Sequence, residues 1–203
     1  MIRSARPPYL LRKYYSELVW RVNTKEKKLF LTFDDGPDPE VTPFVLETLA
    51  AKKAKATFFC IGKNAAANTD LVKRIREEGH ALGNHTYDHP NGWKTSDNTY
   101  LENVNRCDDL SGSKLFRPPY GRIRRSQIKA LKEKYSIVMW DVLSWDFDQA
   151  ISPEKCLKMV CAEAREGSII VFHDRMKAKR NMEYALPRTL EYFSEKGYCF
   201  ERL

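Results

Sequence analysis

Short apolar runs alternate along the chain with longer stretches in which apolar residues return every three or four positions. The first pattern predicts buried strands and the second amphipathic helices. Strand-like runs fall at Leu29–Phe33, Ala56–Ile61, His80–His85, Lys114–Arg117, Ser136–Asp141, Ser168–His173 and Tyr198–Glu201, about seven in all. Between them, Val45, Leu46 and Leu49 form a helical stripe behind Thr42, a candidate N-cap, and Pro43, at the first helical position. Leu71, Val72 and Ile75 form another before Gly79. Ser152-Pro153-Glu154 opens a helix that Gly167 is expected to close, and a last helix covers about 181–196, disturbed early by Pro187 and ended by Gly197.

Regular strand–helix alternation argues for an α/β protein with a parallel sheet. Seven strands can close as a barrel short of one member or lie in an open doubly wound sheet, and the two differ in where functional side chains gather. A barrel draws them from the ends of several strands, an open sheet from one switch point. Asp34 and Asp35 follow the first run, His85 and His89 the third, Arg117 the fourth, Asp141 and Asp146 the fifth, and His173 the sixth. That spread predicts a distorted, incomplete TIM-like (β/α)7 barrel.

At 203 residues, with 42% hydrophobic and 31% charged positions, the chain suits one globular domain with a sizeable core. No run approaches a membrane span, and the first residues lack the apolar segment and cleavage site of a signal peptide, so a cytoplasmic location is expected. Five cysteines without CxxC spacing fit reduced thiols, with Cys60 and Cys199 expected in the core. Eight basic residues against two acidic ones precede Leu29, so +6 of the formal +8 lies in residues 1–28. This basic leader carries Leu11, Tyr14, Tyr15, Leu18, Val19 and Val22 and is expected to be helical. Packing across the bottom of the domain is preferred over contact with an anionic membrane surface. Residues 29–203, nearly balanced in charge, form the expected catalytic domain, and nucleic-acid binding is not expected because no recognition motif appears.

Adjacent carboxylates such as Asp34 and Asp35 at the mouth of an apolar core are costly unless a cation or hydrogen bonds hold them. His85 and His89 are four apart, so a helical turn would aim both imidazoles one way. Two histidines and a carboxylate make a metal site with a position open to water or substrate. His80 begins its run and is expected to be structural.

Thr32-Phe33-Asp34-Asp35-Gly36, His85-Thr86-Tyr87-Asp88-His89, Arg117-Pro118-Pro119-Tyr120-Gly121, the stretch from Asp141 through Phe147, and Val171-Phe172-His173 occur in this order. In these five motifs the chain beyond the leader resembles the polysaccharide deacetylase family, the metal-dependent carbohydrate esterases of family four. The resemblance implies Asp35, His85 and His89 as ligands of one divalent metal, zinc being favoured over cobalt or nickel. It also implies Asp34 as the general base toward water, Arg117 as its partner, and the Tyr120 backbone N–H as an oxyanion donor. His173 would be the general acid, supported by Asp146, with Asp141 the structural competitor for that place. Phe147, Val171, Pro119 and Trp145 would bind substrate, and Trp93 and Trp140 lie near. Phe147 stands where relatives commonly carry Trp, and Val171 where they carry Leu, so the acetyl pocket is expected to differ in shape. The implied reaction is hydrolysis of a linear amide bond, releasing acetyl groups from N-acetylated amino sugars of a chitooligosaccharide- or peptidoglycan-type polymer. The alternatives are an O-acetyl esterase of the acetylxylan kind and a non-catalytic carbohydrate-binding protein.

Overall fold

The computed structural model describes residues 4–203. Its centre is strand β1 (Lys28–Asp34), in which every residue after Lys28 is buried. Strands β2 (Ala56–Cys60) and β7 (Ile169–His173) pair with it on either side, parallel, and are buried throughout. Burial on both faces explains why these runs are continuously apolar rather than alternating. Beyond β2 come β3 (Ala81–Asn84), β4 (Leu115–Phe116) and β5 (Ser136–Ile137), and beyond β7 comes β6 (Val142–Leu143). The short β8 (Cys199–Phe200) pairs with the start of β1. The curled parallel sheet is an incomplete, distorted (β/α)7 barrel.

The run expected as one strand over 136–141 is split. It ends at Ile137, and β6 begins at Val142. These two strands lie at opposite ends of the sheet order, so residues 138–141 carry the chain across the gap in the barrel. The N-terminal segment fills that gap. Val19 N–H donates to Ile137 O at 2.9 Å and Met139 N–H to Val19 O at 2.7 Å, covering the free edge of β5. Leu143 N–H donates to Ala5 O at 2.8 Å, covering that of β6.

Among its described residues, 4–28, the expected helical leader is therefore helical only over α1 (Tyr9–Tyr14). The reason is that unpaired strand edges need extended partners, and Leu18 and Trp20 are buried beside Ile137 and Met139. Asp141 anchors the segment. It is fully buried, accepts from Ser168 Oγ at 2.6 Å and Arg12 Nη1 at 3.0 Å, and lies 3.6 Å from Arg6 Nη2. Asp141→Ala would leave two guanidinium groups without their buried counter-charge. The expected loss is about 3–5 kcal/mol in urea unfolding, with faster tryptic cleavage at Arg12 and Lys13.

Helices α2 (Thr42–Ala51), α4 (Thr69–Glu77), α7 (Pro153–Glu163) and α8 (Lys179–Glu195) wrap the sheet. Ser152 caps α7, accepting from Lys155 N–H, but Gly167 does not close that helix, which ends at Glu163. Gly167 sits instead at φ +74° where the N-terminal segment crosses, and a Cβ there would lie 2.0 Å from Val22 O. Thr42 does not cap α2 either, because it is the first helical residue and its hydroxyl points elsewhere. Pro187 is accommodated within α8. Three helices gave no sequence expectation: α3 (Gly62–Ala67), α5 (Asp97–Ser111) and α6 (Arg125–Leu131). Among the described residues of α5, Tyr100, Val104 and Cys107 form a thin buried stripe, with Leu101 packed against it, in a largely polar segment. The five cysteines are free, and Cys199 is exposed rather than in the core. No helix among the described residues is long and apolar enough to cross a membrane.

Candidate metal centre and active site

Parallel strands deliver their last residues to one rim. Asp34 ends β1 and pairs in register with His173, which ends β7. His85 follows β3 and Arg117 follows β4. Asp146 comes from the loop after β6, not from the end of the 136–141 run.

Asp35 and the two histidines meet. Asp35 Oδ1 lies 3.5 Å from His85 Nε2 and 3.2 Å from His89 Nε2. The imidazoles do not share a helical turn, as their spacing had suggested. They sit in an irregular loop in which Thr86 and His89 have φ of 65° and 61°. Side chains hold that loop: Thr86 N–H donates to Asn84 Oδ1, His89 N–H to Thr86 Oγ1, and the N–H groups of Tyr87 and Asp88 to Asn103 Oδ1. Left-handed backbone at non-glycine residues is uncommon and concentrates at functional sites. Asp35, Thr86, His89, Tyr120 and Trp145 all adopt it.

The donor set fits a metal. His85 lies 2.7 Å through Nδ1 from the Arg117 carbonyl, which can only accept, so Nδ1 carries the proton and Nε2 presents a lone pair. Burial lowers the His89 pKa despite its Asp35 neighbour, which favours the neutral, ligating imidazole. Burial alone would raise Asp35, but the His85 and His89 rings beside it and the charge on His173 hold it well below the usual carboxylate range. Asp35 Oδ1 is buried with no hydrogen-bond partner, an expensive arrangement that a cation would resolve. Among the described residues this is the one group of three or more His, Cys, Asp or Glu residues able to hold an ion.

Asp34 lines the same cavity as this centre and pairs with Arg117, with Oδ1 2.7 Å from Nη1. His173 Nδ1 bonds Asp146 Oδ1 at 2.8 Å, and its backbone N–H donates to Asp146 Oδ2 at 2.7 Å. Burial lowers the His173 pKa, but the Asp146 charge and hydrogen bond, helped by Asp35 and Asp34, outweigh it and raise it to about 9. Asp146→Asn removes the main opposing charge and leaves burial opposed by Asp35 and Asp34. The alkaline limb of kcat/KM, where His173 loses its proton, is expected to move to lower pH by more than one unit, read from a pH–rate profile. A nearby dication would lower both profiles and leave their order unchanged.

Asp34, Asp35, His85, His89 and His173 line one cavity of about 600 Å³ together with Tyr120, Trp145, Phe147 and Val171, with Arg117 and Asp146 fully buried behind Asp34 and His173. Phe147 stacks edge-on against His173 at 4.9 Å, and Tyr120 against His89 at 4.6 Å. Pro118 rather than Pro119 faces the cavity, and Pro119 is buried in its turn. Trp140 lines it too, whereas Trp93 lies on an adjoining apolar hollow. His80 is remote; its Nδ1 accepts from Ala56 N–H, and burial lowers its pKa to about 4. Residues that sequence reasoning passed over include Ser4, Arg6, Pro7 and Leu11, which form part of the cavity wall, and Arg175, whose Nε lies 3.0 Å from Asp35 Oδ2. Arg175 stands two residues beyond the last motif and carries no sequence signal of its own.

A sequence profile described as polysaccharide deacetylase matches residues 21–135. A peptidoglycan-N-acetylglucosamine deacetylase of Bacillus cereus is 38% identical over 198 residues, covering 90% of this chain and 89% of that protein. A second B. cereus protein of the same name is 39% identical over 150 residues, and the match spans 54% of its length. The crystal structure of the Bc1960 peptidoglycan N-acetylglucosamine deacetylase, in complex with 4-naphthalen-1-yl-N-oxidanyl-benzamide, is similar with a TM-score of 0.88 at 33% identity, covering 97% of this chain and 95% of that one.

Proposed function

Since the chain belongs to the polysaccharide deacetylase family, we propose that it is a metal-dependent hydrolase removing N-acetyl groups from amino sugars of a peptidoglycan- or chitooligosaccharide-type glycan. The observation that carries this reading is the unpartnered Asp35 Oδ1 facing two imidazole nitrogens, in a cavity also lined by Asp34 and His173, which are backed by the buried Arg117 and Asp146. Asp35, His85 and His89 would hold the ion, and two nitrogens with one oxygen suit zinc, with cobalt or nickel as substitutes. Such an ion supplies a Lewis acid and brings the pKa of water from about 15.7 toward about 7.

The chain's own residues do the rest. Asp34 accepts the proton of the attacking water while Arg117 fixes its carboxylate. The Tyr120 backbone N–H donates to the oxygen of the acetyl carbonyl as negative charge develops there, a contact worth about 3 kcal/mol where such donors have been removed. His173 donates a proton to the departing amine nitrogen. Asp146, holding Nδ1, keeps the ring charged and leaves Nε2 free to act. Phe147 and Val171 receive the acetyl methyl, and Trp145 flanks the sugar.

An O-acetyl ester needs less help at its leaving group than an amide, so the charged His173 favours N-acetyl substrates. The test is acetate release from N-acetylglucosamine oligomers, peptidoglycan and acetylxylan, with chelator and then zinc. Release from the first two is expected, abolished by chelator and restored by zinc. Chelator-insensitive release, or release from acetylxylan alone, would overturn the proposal.

A further inference from the structure

Asp174 follows His173 directly, is almost wholly buried, and takes no part in the steps above. Both its carboxylate oxygens are held by the connection between β1 and α2. Gly36 N–H donates to Oδ1 at 3.1 Å, and Thr42 Oγ1 donates to Oδ2 at 2.7 Å. The Thr42 hydroxyl itself accepts Asp38 N–H at 2.8 Å, so its one proton is directed at Asp174. The Asp174 backbone N–H donates to Asp34 O at 3.2 Å. One residue thus pins the turn at positions 34 and 36, and through Thr42 at position 38.

Asp35 lies between the first two of these points at φ +80°, a positive φ uncommon outside glycine that persists where the surroundings hold it. The fit at Gly36 is tight, because a Cβ there would lie 2.0 Å from Asp174 Oδ2. The glycine is what lets the carboxylate reach the backbone. Asp34 is held by the ladder that pairs it with Phe59 and His173. Asp35 N–H donates to Phe59 O at 3.3 Å and its carbonyl accepts from Asn64 Nδ2 at 2.7 Å, and the Gly36 carbonyl accepts from Ile61 N–H at 3.0 Å, so Asp174 supplies the side-chain hold on the Gly36 N–H.

We propose that Asp174 is a positioning residue: it holds the turn through Gly36 so that the Asp35 carboxylate faces His85 and His89. The inference rests on the reading of Asp35 as a metal ligand. Without Asp174 the backbone at Asp35 can leave its left-handed conformation and carry the carboxylate away from the imidazoles, with the His173–Asp146 and Asp34–Arg117 pairs still formed.

The experiment compares Asp174→Ala, Asp174→Asn and Thr42→Val with the wild type. Three quantities are read: hydrogen exchange of the Gly36 amide in the metal-free protein, zinc affinity by chelator competition, and the metal-free unfolding midpoint. Asp174→Ala is expected to expose the Gly36 amide to exchange and weaken zinc binding by about 10–100-fold, the usual loss when a group supporting a ligand is removed. Asp174→Asn, whose amide oxygen can still accept from Gly36, is expected to recover most of both. Thr42→Val, which removes one of the two bonds to the carboxylate, is expected to fall between, and it decides the matter if the alanine variant does not fold. Zinc affinity within twofold of wild type in Asp174→Ala overturns the proposal. So do equal losses in the alanine and asparagine variants that track the unfolding midpoint. A wild type that binds no zinc overturns the metal reading instead, and Gly36 exchange alone then decides whether Asp174 holds the turn.

Discussion

Asp34→Asn is expected to lower kcat by about 10²–10⁴-fold, the usual worth of a positioned acid or base, while zinc content stays that of the wild type. The amide keeps the shape of the carboxylate and can still accept from Arg117, but it cannot take a proton from water. Asp35, the proposed ligand, is untouched. The split between lost turnover and retained metal separates the two adjacent aspartates by role, and activity assays with metal analysis on the same preparation read it. Turnover within a few-fold of wild type would remove Asp34 as the base.

Arg117→Met is expected to cost about 3–5 kcal/mol of stability, as breaking a buried ion pair does, and to reduce turnover along with it. Arg117 is fully buried. Its Nη1 donates to Thr32 Oγ1 and Asp34 Oδ1, each at 2.7 Å, its Nη2 to Met139 O at 2.8 Å, and its Nε to Val138 O at 3.3 Å. The guanidinium also stacks over Phe59 at 4.1 Å. Removing it leaves a buried carboxylate and two carbonyls without their donor. Lysine would not replace it, because one ammonium cannot serve these diverging acceptors. The contact to His85 runs through the Arg117 backbone carbonyl, so folded Arg117→Met should still bind zinc. Urea unfolding and zinc titration together test both halves.

The positions that meet at the rim were legible in the sequence because parallel strands carry their final residues to one end, whatever lies between them. Asp34, His85, Arg117 and His173 each follow an apolar run and could be placed on that ground alone. The His85–His89 spacing misled on geometry: four residues match a helical turn, but Thr86 and His89 take left-handed backbone held by Asn84 and Asn103. The split of the 136–141 run was hidden for a related reason. An apolar stretch looks the same whether it stays in one strand or crosses a gap between two.

The leader shows the same limit. Its apolar residues at 11, 14, 15, 18, 19 and 22 read as one helix, yet Val19 is spent on the edge of β5, a demand that exists only once the sheet leaves that edge open. Arg6 and Arg12 look like surface charge until Asp141 is seen buried between them.

By itself the sequence determined the strand–helix alternation, the parallel sheet and the set of polar residues at its rim, since these follow from local periodicity and from motif order. The division of Asp35 to the histidines and Asp34 to Arg117 came from the order of motifs shared with a family, whereas only the tertiary structure decided that Asp174 grips the turn between them and that residues 4–22 close the barrel. Those outcomes depend on groups far apart in the chain competing for the same donors, acceptors and strand edges, and no local pattern encodes that competition.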